Sequence, residues 1–95
     1  DEPPAKYNEE ANVHNSIVAD GCIIEGTVEN SILFRGVRVM KGVVIKNSLI
    51  LQGTTVERNA QMNYCILDKG VTITEGKSLN GDVEWPLIVG KNVKV

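Results

Sequence analysis

Chemistry in this 95-residue chain would have to start from its single histidine, its two cysteines and a run of basic side chains. His14 is of the right type for a general base in acyl transfer. No carboxylate stands at a recognisable spacing from it, so a surface histidine is the ordinary reading. One histidine also excludes a zinc centre that needs about three imidazole ligands. Cys22 and Cys65 are not in metal-type spacing. Nothing basic is placed to lower their pKa, so they are expected to pack as small hydrophobes. Arg35, Arg38, Lys41, Lys46 and Arg58 fall within 24 residues. Lys41 and Arg58 hold equivalent repeat positions, and with Arg35 and Arg38 they form a candidate site for a phosphorylated metabolite; the ordinary alternative is solvated charge. The glycines show neither GxGxxG nor Walker spacing. No catalytic residue and no metal ligand is assigned.

Composition narrows the setting. The chain begins at Asp1, which leads us to expect an excised domain or processed product, and its length allows one domain at most. Aromatic residues make up only 4%, so the core must be aliphatic. A net charge of −2 gives no reason to expect nucleic acid or an anionic membrane as partner. No apolar run approaches the roughly 18 residues of a membrane helix, and no signal-peptide pattern is present. A reduced, cytoplasmic setting is the expectation.

The elements that position these side chains are set by repetition. "NSIVADGCI" from Asn15 returns as "NSILFRGVR" from Asn30, "NSLILQGTT" from Asn47 and, more loosely, "YCILDKGVT" from Tyr64. Gly21, Gly36, Gly53 and Gly70 are separated by 15, 17 and 17 residues, and Ile24, Val39, Val56 and Ile73 keep the same steps. Within a repeat the large aliphatics advance by six, six and five, as in Leu33, Val39, Ile45 and Ile50. The missing two residues lie between Ile24 and Val28. A 3.6-residue period cannot produce this beat, whereas three short strands joined by tight turns can. A small residue stands two positions before most aliphatics: Ser16, Cys22, Ser31, Val37, Ser48, Thr54, Ala60 and Cys65. The spacing therefore predicts an all-β fold, a parallel β-helix of hexapeptide repeats with about four to five triangular coils, roughly 20 Å tall.

Asn15, Asn30 and Asn47 are expected at a corner, where asparagine tolerates left-handed backbone and can ladder with its neighbours; Tyr64 breaks that ladder. Residues 1–12, with a Pro-Pro, read as an extended lead-in linker, and 13–95 as the β-helix domain. "NGDVEWP" reads as a loop, after which Leu87, Ile88 and Val89 match Ser16, Ile17 and Val18. Trp85 is expected to cover the open end of the prism.

The outward positions divide by face. Ile23, Arg38, Thr55 and Thr72 mark one; Thr27, Val44, Gln61 and Ser78 mark another. The third shows Ile17, Ile32, Leu49, Ile66 and Ile88, with Phe34 and Leu51 two residues beyond Ile32 and Leu49. Surface aliphatics are common singly, but five in register make a contiguous patch of the kind that marks a docking surface.

The letters also carry a resemblance. "PPAK" at 3–6, "NSIVADGCIIEGTVENSILFRGVRV" at 15–39, "KNSLILQ" at 46–52 and "CILDKGVTI" at 65–73 resemble the C-terminal domain of bacterial glucose-1-phosphate adenylyltransferase (ADP-glucose pyrophosphorylase), especially the GlgD-type subunit of glycogen synthesis. The resemblance implies a left-handed β-helix, an exception to the right-handed crossover rule. It implies an absent N-terminal nucleotidyltransferase domain that joins ATP and glucose 1-phosphate, with Mg and ATP bound there and no cofactor in this fragment. It further implies docking on that domain, assembly with other adenylyltransferase subunits as homo- or hetero-tetramers, and a part in allostery. The alternative is a small hexapeptide-repeat acyltransferase that uses His14 and an acyl thioester.

Overall fold

The computed structural model describes residues 2–95. Among these, fifteen strands of two or three residues account for all the regular structure, and there is no helix. They assemble into three five-stranded parallel sheets, so the chain winds as a triangular prism of between four and five coils. The first face stacks Lys6–Tyr7, Ile23–Ile24, Arg38–Val39, Thr55–Val56 and Thr72–Ile73. The second stacks Asn12–His14, Thr27–Glu29, Val44–Lys46, Gln61–Asn63 and Ser78–Asn80. The third stacks Ile17–Val18, Ile32–Leu33, Leu49–Ile50, Cys65–Leu67 and Leu87–Val89. The class is the hexapeptide-repeat, left-handed β-helix.

The six-six-five beat builds the core. Register pairs Ile24 with Val39, Val39 with Val56 and Val56 with Ile73, one coil above the next. Val28, Ile45 and Met62 form a second inward column, and Leu33, Ile50 and Leu67 a third. Nearly all these side chains are fully buried, each contributing roughly 1.5–3 kcal/mol of apolar transfer energy. The small residues pack inward beside them: Cys22, Val37, Val43, Thr54, Ala60 and Cys65 are buried too.

The corners turn through left-handed residues. Asn15, Asn30, Asn47 and Tyr64 have φ between 47° and 52°, and Gly21, Gly36, Gly53 and Gly70 take positive φ at another corner. The Asn15 Nδ2 donates to Asn30 Oδ1, and Asn30 to Asn47. Asn47 Nδ2 then donates to Asn63 Oδ1 at 3.0 Å. Tyr64 thus keeps the left-handed backbone while its neighbour Asn63 supplies the next amide of the ladder. A serine ladder runs beside it. Ser31 N donates to Ser16 Oγ, Ser48 N to Ser31 Oγ and Cys65 N to Ser48 Oγ, at 3.0–3.1 Å. Each serine hydroxyl in turn donates to the carbonyl two residues before it, at 2.8 Å.

Regular structure begins inside the lead-in segment. Lys6 and Tyr7 pair with Ile23 and Ile24, and Ala5 and Ala11 pack against the core. Tyr7 occupies an inward register position six residues before Val13. The two-residue deletion is accommodated by Gly26, which is buried; a Cβ there would lie 2.6 Å from the Val43 carbonyl oxygen. After Asn80 the chain leaves the stack and returns at Leu87, which pairs with Cys65. The last coil closes with a bridge between Thr72 and Lys94.

Candidate functional site

Hydrogen-bond register decides which outward side chains meet. On the third face Ile17 lies beside Ile32, Ile32 beside Leu49, Leu49 beside Ile66 and Ile66 beside Ile88. This column runs the height of the prism. Its ends stand furthest into solvent, with Ile17 65% and Ile88 70% exposed, while Leu49 and Ile66 are half-buried. Phe34 is exposed and Leu51 half-buried at the margin of the same face. Polar corner groups border the column. A shallow groove of about 470 Å³ is lined by Asn15, Ser16, Ile17, Asn30, Ser31 and Ile32. A second groove, of about 320 Å³, continues along the corner past Leu49, Tyr64 and Ile66 to Pro86.

The excursion from Gly81 to Pro86 stands at this corner, because Gly81 N donates to Asn63 O and Leu87 N to Tyr64 O. It is a built turn: Asp82 N donates to Trp85 O at 3.0 Å and Trp85 N to Asp82 O at 3.1 Å, and Pro86 fixes its own φ. A Cβ on Gly81 would collide with the Tyr64 carbonyl and the Leu87 amide, so the loop leaves the stack where only glycine fits. Trp85 does not cover the end of the prism. It is 82% exposed, because the insertion lies at a side corner and its hydrogen bonds hold it there. Val83 is exposed with it. Sequence reasoning did not include Val83 and Trp85 in the docking patch; the five residues inserted into an otherwise regular period were the available signal.

The basic residues do not converge. Lys41 and Arg58 stack at one corner, where Asn59 N donates to Lys41 O, and Lys41 Nζ lies 3.5 Å from a carboxylate oxygen of Glu10. Arg38 stands on the first face, and Arg35 lies at the other end of that face, its carbonyl accepting from Gly53 N. The groove there contains Glu2 as well as Arg35. Lys46 belongs to the second face, 3.8 Å from Glu29.

His14 is exposed on the second face, in register with Glu29, and no hydrogen bond ties its ring to a carboxylate among the described residues. The thiols are buried. Cys22 Sγ donates to Phe34 O at 3.1 Å. Burial pushes both thiols up from their ordinary pKa, outweighing backbone hydrogen bonds that favour the thiolate, so at neutral pH they are protonated and inert. Among the described residues no group of three His, Cys, Asp or Glu side chains could hold a metal ion, and no helix is long and apolar enough to cross a membrane. The arrangement offers an apolar column along one face and a hydrogen-bonded loop at its corner that leaves Val83 and Trp85 exposed.

Comparison with known proteins agrees with the repeat. The profile of the family described as "GlmU-like, C-terminal hexapeptide" matches residues 3–85. The glycogen biosynthesis protein GlgD of Bacillus subtilis (strain 168) is 56% identical over 93 residues, which is 98% of this chain and 27% of that protein. GlgD of Geobacillus stearothermophilus is 62% identical over 45 residues, 47% of this chain and 13% of the relative. The glucose-1-phosphate adenylyltransferase of the same organism is 53% identical over 45 residues, 47% of this chain and 12% of its own length. The chain thus spans about a quarter or less of these relatives.

Proposed function

Because the chain belongs to the family of GlmU-like C-terminal hexapeptide domains, we propose that it is the structural and assembly domain of a glycogen-biosynthesis subunit of the GlgD and glucose-1-phosphate adenylyltransferase kind. The observation that carries this reading is the 56% identity to a GlgD protein along 98% of the chain. The register-aligned column of Ile17, Ile32, Leu49, Ile66 and Ile88 supplies its mechanism. An apolar column of this height on a rigid prism is suited to burial against a neighbouring polypeptide, either the nucleotidyltransferase-type part of the parent or another adenylyltransferase subunit.

In this reading the parent enzyme converts ATP and glucose 1-phosphate to ADP-glucose and pyrophosphate in the cytoplasm, and the Mg and ATP bind outside these residues. A phosphorylated effector would engage the stacked Lys41 and Arg58 and would have to displace Glu10 from Lys41. Deleting residues 13–95 from the parent subunit tests the proposal. The expected result is a remainder that stays folded but no longer assembles with adenylyltransferase subunits. Undiminished assembly would overturn it.

A further inference from the structure

The loop that leaves the stack after Asn80 stands beside a polar surface that the apolar column does not use. On the second face Gln61 pairs in register with Ser78, and Asn63 with Asn80. Residues two apart in a strand point the same way, so these four side chains make a square on the outer surface, its strands roughly 4.8 Å apart. Gln61, Ser78 and Asn80 are exposed and Asn63 is half-buried. Gln61, Asn63 and Asn80 line a shallow groove of about 190 Å³ together with Lys46. Asn63 Oδ1 accepts from Asn47 Nδ2, but the Asn63 amino group and the side chains of Gln61, Ser78 and Asn80 have no hydrogen-bond partner among the described residues. The loop begins at the edge of this square, its base fixed by the bond from Gly81 N to Asn63 O, and it holds Trp85 82% exposed. We propose that this corner binds a neutral glycan, a linear α-glucan chain of the kind that makes up glycogen. The choice of glucan rests on the glycogen-biosynthesis reading; the choice of a neutral glycan rests on the chemistry of the corner.

A sugar ring presents an apolar face of C–H groups and a rim of hydroxyls. Trp85 offers a flat apolar surface for the first. The carboxamides and the Ser78 hydroxyl suit the second, because each both donates and accepts, as a sugar hydroxyl does. A few fixed polar groups beside an apolar surface are the ordinary make-up of a small-ligand site. The paired bonds between Asp82 and Trp85 order the backbone of the loop before any ligand arrives, which lowers the cost of binding. Repetition favours a chain over a single sugar: the coils set like polar groups side by side, and a polymer sets like hydroxyls along its length.

Charge narrows the class of ligand. Lys46 is the one cation that lines the groove, and its Nζ lies 3.8 Å from Glu29. Asp82 and Glu84, both exposed, belong to the same loop as Trp85. A phosphate, a sulfate or a nucleic acid would be repelled by these carboxylates and would find no unpaired cation in the groove. The same carboxylates accept hydrogen bonds from neutral hydroxyls. The groove lies on the second face, which leaves the third-face column for the docking proposed above. Binding there would hold a glycogen-biosynthesis subunit at the polymer being made.

Two measurements on this chain test the site: titration with maltoheptaose, read by the emission of Trp85, the only tryptophan, and retardation in native gels that contain glycogen. A saturable change in emission and a clear retardation are expected, both indifferent to added salt because the ligand is neutral. Trp85→Ala, at an exposed position, should weaken retardation by roughly tenfold or more, as truncation of a tryptophan anchor does. Gln61→Ala and Asn80→Ala, outside the asparagine ladder, should each weaken it severalfold with unchanged circular dichroism. Thr55→Ala on the first face should leave it as it is. A chain that responds to neither maltoheptaose nor glycogen overturns the proposal, as does retardation that survives Trp85→Ala or disappears with salt. Equal affinity for β-linked cellohexaose would overturn the α-glucan and support a neutral glycan. The parent subunit separates this site from the docking role: Trp85→Ala should lose glycogen and keep its assembly. A subunit that assembles but never binds glycogen overturns the glucan site alone, and one that binds glycogen but assembles just as well without residues 13–95 overturns the docking reading alone.

Discussion

Single residues show how closely the coils are fitted. Gly26 sits where the repeat is two residues short, with the Val43 carbonyl oxygen 2.6 Å from the position of a Cβ. Gly26→Ala must push a backbone strand aside, and a loss of roughly 2 kcal/mol or more is expected in denaturant unfolding. The deletion itself was plain in the spacing of Ile24 and Val28, but its consequence for Gly26 depended on a contact made one coil away. The buried thiols of Cys22 and Cys65 allow a pH prediction. Their native pKa values are raised by burial, so the native state holds its protons to higher pH than the unfolded chain. Their contribution to stability is therefore complete below the ordinary thiol range, roughly 8.5, and declines as pH rises above it. Unfolding midpoints should fall on the alkaline side, and both thiols should resist thiol reagents until the chain unfolds.

Strands and corners were the most legible level, because a side chain that points inward every six, six and five residues leaves its mark in the letters. The left-handed corners at Asn15, Asn30 and Asn47 followed from residue type. Asn63 did not, since its part in the ladder requires Tyr64 to keep the turn while the neighbouring amide reaches across. The first strand was obscured by chemistry, not by spacing: Tyr7 stands six before Val13, and Ala5 and Ala11 are the small residues two before each, but an aromatic on an end coil does not read as a core aliphatic. The serine ladder predicts the cost of breaking a corner. Ser31→Ala removes the acceptor of the Ser48 N–H and the donor to the Glu29 carbonyl. A buried amide without a partner costs about 1–3 kcal/mol, so the variant should unfold at correspondingly lower denaturant. Ser31→Thr, which restores a hydroxyl, should recover part of the loss.

At the scale of the molecule, aliphatic side chains fill the interior of the prism, so the proposed docking role falls to its surface. Its faces differ because one carries an unbroken column of aliphatics, whereas Ile23 and Val44 stand singly among charged, amide and hydroxyl side chains on the other two. That column could be read from the sequence once the period was known. The orientation of Trp85 could not, because an insertion escapes the period that predicts everything around it. The central claim is that the third face holds an assembly together, and the most direct test is the size of the parent subunit's assembly in the Ile32→Glu, Leu49→Glu double variant. Circular dichroism must first show an unchanged β-helix, as expected for substitutions that point outward. The account predicts that the folded variant falls to a smaller species at concentrations where the unaltered subunit is fully assembled. An assembly of unchanged size and stability would contradict it.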